Sequence, residues 1–266
     1  MRQKLMPKQY MSPPSPSKPL ILAQISDSHL FADSTGMHHG ANVYQNLKKV
    51  LLAINKLPAV DVIVFTGDLT QDHTAASYRL FVQAFKECEI TTPVYYLAGN
   101  HDDPTLLKRY LSCLPFCHDN IIANDYWQVL LLESKSATPA GVISQAQCDI
   151  AAGVIDQTKS QLLLTHHHAV DAGFFIDKHG LRNKTQFKQF LSAFPSIKAL
   201  ACGHIHQALT LPLVLPQRTI SLYSCPATSI QFDINAETAK SNGQAPGYRL
   251  FTLAENEHIT TEVFFL

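Results

Sequence analysis

Residues 61–68 read DVIVFTGD, Asp61 to Asp68. Val62 to Phe65 form an unbroken β-branched and aromatic run, the pattern of a strand buried on both faces rather than one with a wet side. Gly67 then permits a tight turn, and a carboxylate, Asp68, follows at once. Four other runs end in the same way. ILAQIS (21–26) leads to Asp27-Ser28-His29, and PVYYLAG (93–99) leads to Asn100-His101-Asp102. QLLLTH (161–166) opens His166-His167-His168, and IKALACG (197–203) leads to His204-Ile205-His206. Side chains at the carboxyl ends of neighbouring strands converge on one edge of a sheet, where α/β folds build their sites. The chain therefore reads as α/β, with carboxylates, an amide and imidazoles gathered at one edge.

The segments between these runs read as helices. Residues 42–57 space Val43, Leu47, Val50, Leu51 and Ile54 at helical intervals and stop at Pro58. Helices also fit 74–88, 144–156 and 185–193, and one opens near Asp103-Pro104; strands fit 121–123 and 127–133. After His206 the segments 208–214, 218–224, 228–234, 247–253 and 258–265 alternate or are β-rich. Two packed sheets flanked by helices accommodate both halves. Residues 21–266 read as one domain without repeats. Residues 1–20, rich in Pro, Ser, Lys and Gln, read as a disordered tail, neither signal peptide nor anchor.

The 266 residues, 46% hydrophobic, suit a single large domain with a full core. Lys plus Arg equals Asp plus Glu, at 21 each, so no basic field draws polymeric nucleic acid or anionic membrane. No apolar run approaches the roughly 20 residues that span a bilayer. The six cysteines lack zinc-ribbon or redox spacing and read as free thiols of a cytoplasmic protein. Seven of the 13 histidines fall inside the ligand-bearing blocks.

Carboxylate, amide and imidazole donors suit a pair of divalent cations. Two such ions about 3.5–4 Å apart can clamp a phosphate and activate a water, and they need a bridging ligand. Asp68 fits the bridge. Asp27 and His29 can reach one ion from a single loop, and Asn100 offers a neutral oxygen to the second. His204 and His206, two apart, would point the same way in extended backbone and could serve the two ions separately. Two divalent ions, less the charges of Asp27, Asp68 and one hydroxide, leave about one positive charge, which matches a phosphodiester.

In order, the blocks D-x-H, G-D, G-N-H-D, H and G-H-x-H resemble the metallophosphoesterase (calcineurin-like phosphoesterase) superfamily. That resemblance implies a four-layer αββα sandwich of two mixed β-sheets flanked by helices. QISDSHLF, TGDLTQD, LAGNHDD, THHH, Leu181-Arg182-Asn183, CGHIHQ and APGYRL are similar to the bacterial class III cyclic-nucleotide phosphodiesterases, the CpdA/Icc family, from about Ile21 onward. The likeness implies two metal ions, iron, manganese or zinc. It implies Asp27, His29, Asp68 and His206 on one ion, and Asp68, Asn100, a histidine of the triple and His204 on the other. His101 would contact phosphate and assist the leaving group, with His29, Asp68, Asn100, His206 and Arg182 also at the substrate. The implied reaction is hydrolysis of 3′,5′-cyclic AMP to 5′-AMP by a metal-bridging hydroxide; other phosphodiesters of the superfamily are the alternative.

Two departures from the family pattern matter. Ala169 stands where the family often has Pro; the ligand two residues before it would be His167, with His166 the competitor. Gln71 stands where many members carry the acid that orients the catalytic histidine. Asp72, Asp102 or a backbone carbonyl is left for that role. Arg182 reads equally as a substrate contact or a partner for a carboxylate, and Phe174-Phe175 as site mouth or core. His168 reads as a supporting or solvent residue, His38 and His39 as loop surface, and Asp177-Lys178 as a solvated turn.

Overall fold

The computed structural model describes residues 18–266; most of the expected tail lies outside the described residues. The amino-terminal half contains β1 (Leu20–Ile25), β2 (Met37–His38), β3 (Ala41–Asn42), α1 (Val43–Asn55), β4 (Val62–Phe65), α2 (Ala75–Glu87), β5 (Val94–Tyr96), α3 (Pro104–Tyr110), β6 (Phe116–Cys117), β7 (Ile121–Ala123) and β8 (Trp127–Leu131). Then come α4 (Gln145–Val154), β9 (Ser160–Thr165), a 3-10 helix (Phe175–His179), α5 (Lys184–Ala193), β10 (Ile197–Cys202), β11 (Thr210–Val214), β12 (Thr219–Ser224), β13 (Gly247–Leu253) and β14 (Ile259–Phe265).

Helices α1 to α4 start where side chains can satisfy their free amides. Asn42 Oδ1 accepts from Gln45 N at 2.9 Å, and Asp103 Oδ1 accepts from Thr105 N at 2.7 Å ahead of Pro104.

One sheet has the order β14-β13-β1-β4-β5-β6 and the other β11-β12-β10-β9-β8-β7. The central strands pair in parallel, β1 with β4, β4 with β5, β8 with β9 and β9 with β10. β13 and β14 add antiparallel strands to the first sheet, and β7 and β11 do so for the second.

Residue alternation sets the layers. Ile63 and Phe65 of β4 pack with α1, α2 and α3, whereas Val62 and Val64 face the other sheet. Leu163 of β9 and Leu200 of β10 pack with Phe187 and Leu191 of α5, while Leu162, Leu164, Ala199 and Ala201 meet Val64, Trp127 and Phe251 between the sheets. The four-layer αββα sandwich follows, with β1, β4, β8, β9 and β10 buried on both faces.

Gln24, fully buried, ties the two sheets at their carboxyl ends. Its Nε2 donates to Thr66 Oγ1 at 3.0 Å and to Cys202 O at 3.1 Å. Among the described residues no helix is long and apolar enough to cross a membrane.

The β-rich reading of 228–234 is corrected: no strand forms there. Ile230 and Phe232 are apolar because they pack with Ile176 beside the site, not because they pair in a sheet. Phe232 makes a single antiparallel bridge to Ser241.

Candidate metal centre

The five blocks sit just beyond the carboxyl ends of β1, β4, β5, β9 and β10. Asp27 N bonds to Gly67 O at 2.9 Å and His29 N to Asp68 O at 3.0 Å, which lays the first two loops side by side. Gly67 and the Gly99 loop touch backbone to backbone. A Cβ on Gly67 would lie 2.7 Å from Gly99 Cα, and one on Gly99 would lie 2.7 Å from Asp68 Cγ. The buried Asp102 carboxylate locks the pair by accepting Leu69 N at 2.8 Å and Gly99 N at 2.9 Å. Burial, together with the neighbouring Asp68 charge, pushes Asp102 up to about 7 against the opposing effect of these amides.

Five site residues occupy the left-handed region: Asp27 (φ 57°), His29 (45°), Asp68 (56°), His204 (65°) and His206 (52°). Each such non-glycine costs about 1–2 kcal/mol, and such strain concentrates at functional sites. The extended geometry expected for His204 and His206 is corrected by these angles. Ile205 N turns back to Gly203 O at 2.7 Å and Ile205 is buried, so the two flanking imidazoles diverge.

They diverge into two clusters. In the first, His206 Nε2 lies 3.3 Å from Asp27 Oδ1 and 3.1 Å from His29 Nε2, which is 3.7 Å from Asp68 Oδ2. In the second, His166 Nε2 lies 3.3 Å from Asp68 Oδ2, 3.1 Å from Asn100 Oδ1 and 3.2 Å from His204 Nδ1. Asp68 belongs to both. Donors held about 2.0–2.2 Å from one ion lie about 3.0–3.6 Å apart, so both spacings fit a cation.

Proton positions give an independent test of fit. His206 Nδ1 donates to Ile230 O at 2.8 Å and His29 Nδ1 faces Gln71 Oε1 at 2.8 Å. The remaining ring nitrogens, the two Nε2 atoms, face each other at 3.1 Å. Burial, reinforced by His206, holds His29 well below its ordinary value against the pull of Asp68. Two ring nitrogens this close need a proton or a metal cation between them. In the second cluster burial opposes a charge on His166, but Asp68 overrides it and lifts the ring to about 9. A proton there occupies the place a cation would take, and metal binding would displace it. The donors present therefore fit two divalent ions.

The structure places His167 away from Asp68 and Asn100. Its Nδ1 meets Ser134 Oγ at 2.8 Å and its Nε2 meets Pro139 O at 3.0 Å. It lies close enough to join His166 and His204 in one group of candidate donors, yet both its nitrogens are engaged elsewhere. His166 is the ring beside Asp68 and Asn100, anchored by donation from Nδ1 to Thr66 O at 2.7 Å. His168 is fully buried, with Nε2 3.2 Å from Asp177 Oδ1.

His101 lines the cleft above the clusters, its backbone N–H on Asp68 Oδ1 at 2.8 Å. His73 stacks on the ring at 5.3 Å and His29 meets its edge at 4.9 Å. None of the three expected partners orients it. Asp102 is spent on backbone amides, Asp72 accepts from Ala32 N and Thr74 N, and His101 Nδ1 is buried without a hydrogen bond. Burial lowers its pKa although Asp68 raises it.

Arg182 lies outside the cleft. Leu181 N bonds to His168 O and Arg182 N to Gly141 O, which fixes an extended segment with Leu181 inward and Arg182 outward. Arg182 is exposed, meets Thr138 Oγ1 at 3.4 Å and does not line the cleft. Phe175, Ile176 and Phe232 line it instead, with Lys178, His179 and Glu237 at the rim. Phe175 was read as site mouth or core; Ile176, Phe232 and Lys135 were missed, and Lys135 donates to Asn100 O at 2.7 Å and holds that loop from the second sheet. Only contacts distant in sequence bring these residues in, so motif spacing carried no sign of them.

Comparison with known proteins follows the geometry. The calcineurin-like phosphoesterase family profile matches residues 21–208. A probable cyclic nucleotide phosphodiesterase of Colwellia psychrerythraea is 50% identical over 258 residues, covering 96% of this chain and 98% of its own. The 3′,5′-cyclic adenosine monophosphate phosphodiesterase CpdA of Escherichia coli K12 is 34% identical over 248 residues, covering 91% and 88%. A crystal structure of a dimetal phosphatase from Danio rerio superposes with a TM-score of 0.62 at 12% identity, covering 91% of this chain and 98% of that one. Purple acid phosphatase PPD1 from yellow lupin gives 0.58 at 13% identity, covering 95% and 52%. The two structural likenesses speak to the fold alone.

Proposed function

The chain belongs to the calcineurin-like phosphoesterase family, and from that premise we propose that it is a dinuclear-metal phosphodiesterase that hydrolyses 3′,5′-cyclic AMP to 5′-AMP. Asp68 carries the reading: one carboxylate is shared by two donor clusters on the floor of a cleft of about 350 Å³. That volume lies at the small end of the roughly 300–1,000 Å³ typical of small-ligand sites. The relatives named for cyclic nucleotides match over more than nine-tenths of this chain.

Oxygen and imidazole donors without a thiolate suit iron, manganese or zinc. Asp27, His29, Asp68 and His206 would hold one ion, and Asp68, Asn100, His166 and His204 the other. Two bound ions supply an activated water and offset charge at phosphorus. The chain's own residues do the rest. Asn100 and the ligand loops orient the phosphate. His101, positioned by its N–H on Asp68, gives a ring proton to the departing 3′ oxygen. Burial opposes that proton, and an anionic phosphate against the ring favours it. The balanced surface charge, 21 against 21, suits a small ligand, and the six free cysteines suit a cytoplasmic setting.

One observation favours a second reading. Beyond His101 lies another chamber of about 430 Å³, lined by His73, Tyr78 and Lys135, which a linear diester with a bulky leaving arm would enter. The deciding assay uses manganese-reconstituted protein on cyclic AMP, cyclic GMP, 2′,3′-cyclic AMP and bis(p-nitrophenyl) phosphate. A kcat/KM for cyclic AMP equal to or above the others supports the proposal. Negligible cyclic AMP turnover beside a diester at about 10⁴ M⁻¹s⁻¹ or more overturns it.

A further inference from the structure

The mouth of the cleft contains a group that a phosphate site does not need. Residues 232–241 form a small hairpin: Phe232 bridges Ser241, Asp233 N bonds to Lys240 O at 2.8 Å, and Asn242 N bonds to Gln231 O at 3.0 Å. Its root is fixed to the ligand loop. Phe232 N bonds to His206 O at 3.1 Å, Gln207 Nε2 donates to Phe232 O, and the Phe232 ring lies flat on His206 at 4.0 Å and 6°. The tip, Glu237 to Ala239, reaches the mouth of the cleft. The hairpin therefore holds its tip in fixed register with the metal centre.

Glu237 belongs to neither donor cluster, and among the described residues it forms no ion pair, Lys240 being turned to Asp233 at 4.0 Å. A carboxylate at the rim of an anion site repels the phosphate, so the part of the substrate it serves must carry donors. An ionised carboxylate only accepts hydrogen bonds. Between it and the centre, Phe175, Ile176 and Phe232 present an apolar surface suited to a flat ring. The phosphate end of a nucleotide belongs to the donors on the floor, and this arrangement leaves the base lying on that surface with its edge toward the tip.

We infer that Glu237 reads the base of the substrate, accepting a hydrogen bond from an exocyclic amine such as that of adenine, and that Thr238 adds a donor to a neighbouring ring nitrogen. The inference rests on the cyclic-nucleotide reading above. It makes the hairpin the specificity element and leaves the reaction to the metal floor.

The test compares kcat/KM for cyclic AMP with that for purine riboside 3′,5′-cyclic monophosphate, which has hydrogen in place of the amine. Each ratio is taken within one manganese-loaded preparation, so metal occupancy cancels. The wild type is expected to prefer cyclic AMP by about 10-fold, the scale of one hydrogen bond to a charged group. Glu237→Ala is expected to bring the ratio close to one. Thr238→Val is expected to lower both substrates together, because the ring nitrogen is common to both. Competitive inhibition by 5′-AMP against purine riboside 5′-monophosphate, read on bis(p-nitrophenyl) phosphate, should show the same loss of preference in Glu237→Ala as a difference in binding. A wild type without preference, or a Glu237→Ala variant that keeps it, overturns the inference while leaving cyclic AMP hydrolysis intact. A wild type active on bis(p-nitrophenyl) phosphate and inert on both cyclic nucleotides overturns the underlying reading and this inference with it.

Discussion

At the residue scale, adjacent histidines with different partners should behave differently. His166 faces Asp68, Asn100 and His204, whereas His167 faces Ser134 and Pro139. His166→Ala is expected to lower bound metal from about two ions per chain toward one, with turnover down about 10²-fold or more. His167→Ala is expected to keep about two ions and lose mainly stability, since Ser134 and Pro139 lose a buried partner. Elemental analysis of the two variants decides between them; the reverse pattern would restore the family register. His101 makes a separate prediction. With no metal role, His101→Ala should retain metal and lose about 10²–10⁴-fold in turnover of cyclic AMP, the usual scale for a general acid. The loss should shrink on bis(p-nitrophenyl) phosphate, whose leaving group needs little protonation. Equal losses on both substrates would leave His101 only a positioning role.

At the scale of elements, the loops matter more than the strands that launch them. Gly99 has no room for a methyl group because Asp68 Cγ lies 2.7 Å from where it would sit. Gly99→Ala must push the Asp68 and Asn100 loops apart. A 1 Å misplacement is enough to cost about 10²-fold in rate, so activity should fall by at least that much while far-UV circular dichroism stays native. Wild-type activity in this variant would mean that the close loop contact does not set the metal geometry. The strands were legible because central strands buried on both faces must be continuous apolar runs, as at Val62–Phe65 and Leu162–Leu164. The gathering of these donors was legible too, since Asp and His at strand ends leave few other uses for so many imidazoles. Which ring of the histidine triple faces Asp68 was not. His166 is selected by Thr66 O, 100 residues away, and His167 is withdrawn by Ser134, 33 residues away. Residues 228–234 misled for a similar reason: Ile230 and Phe232 are apolar to line a site, and apolar alternation does not report what a residue packs against. Arg182 misled through strand alternation, which buries Leu181 and turns its neighbour outward.

At the scale of the whole molecule, two sheets with separate helical coats meet along one apolar seam, and the donor clusters cap that seam at its carboxyl end. Gln24 bridges the sheets there, and Asp68 of the first sheet meets His166 of the second at 3.3 Å. Metal ions bound between these donors would join the sheets as well as serve the chemistry. The loops carry five left-handed donor residues and two ring nitrogens facing each other at 3.1 Å, an arrangement that a bound cation would relieve. The apolar seam itself needs no metal. Chelation should therefore leave secondary structure intact and lower the thermal midpoint. A ligand at 100 times its dissociation constant stabilises the folded state by about 2.7 kcal/mol per site. For a domain near this size each kcal/mol moves the midpoint by about 2–4 °C, so each occupied site should add roughly 5–11 °C. Asp68→Asn, which weakens the shared ligand, should abolish most of the shift produced by added manganese. A midpoint indifferent to both chelator and manganese would mean that the strained loops are held by the protein alone, and the donor clusters would then need another explanation than metal.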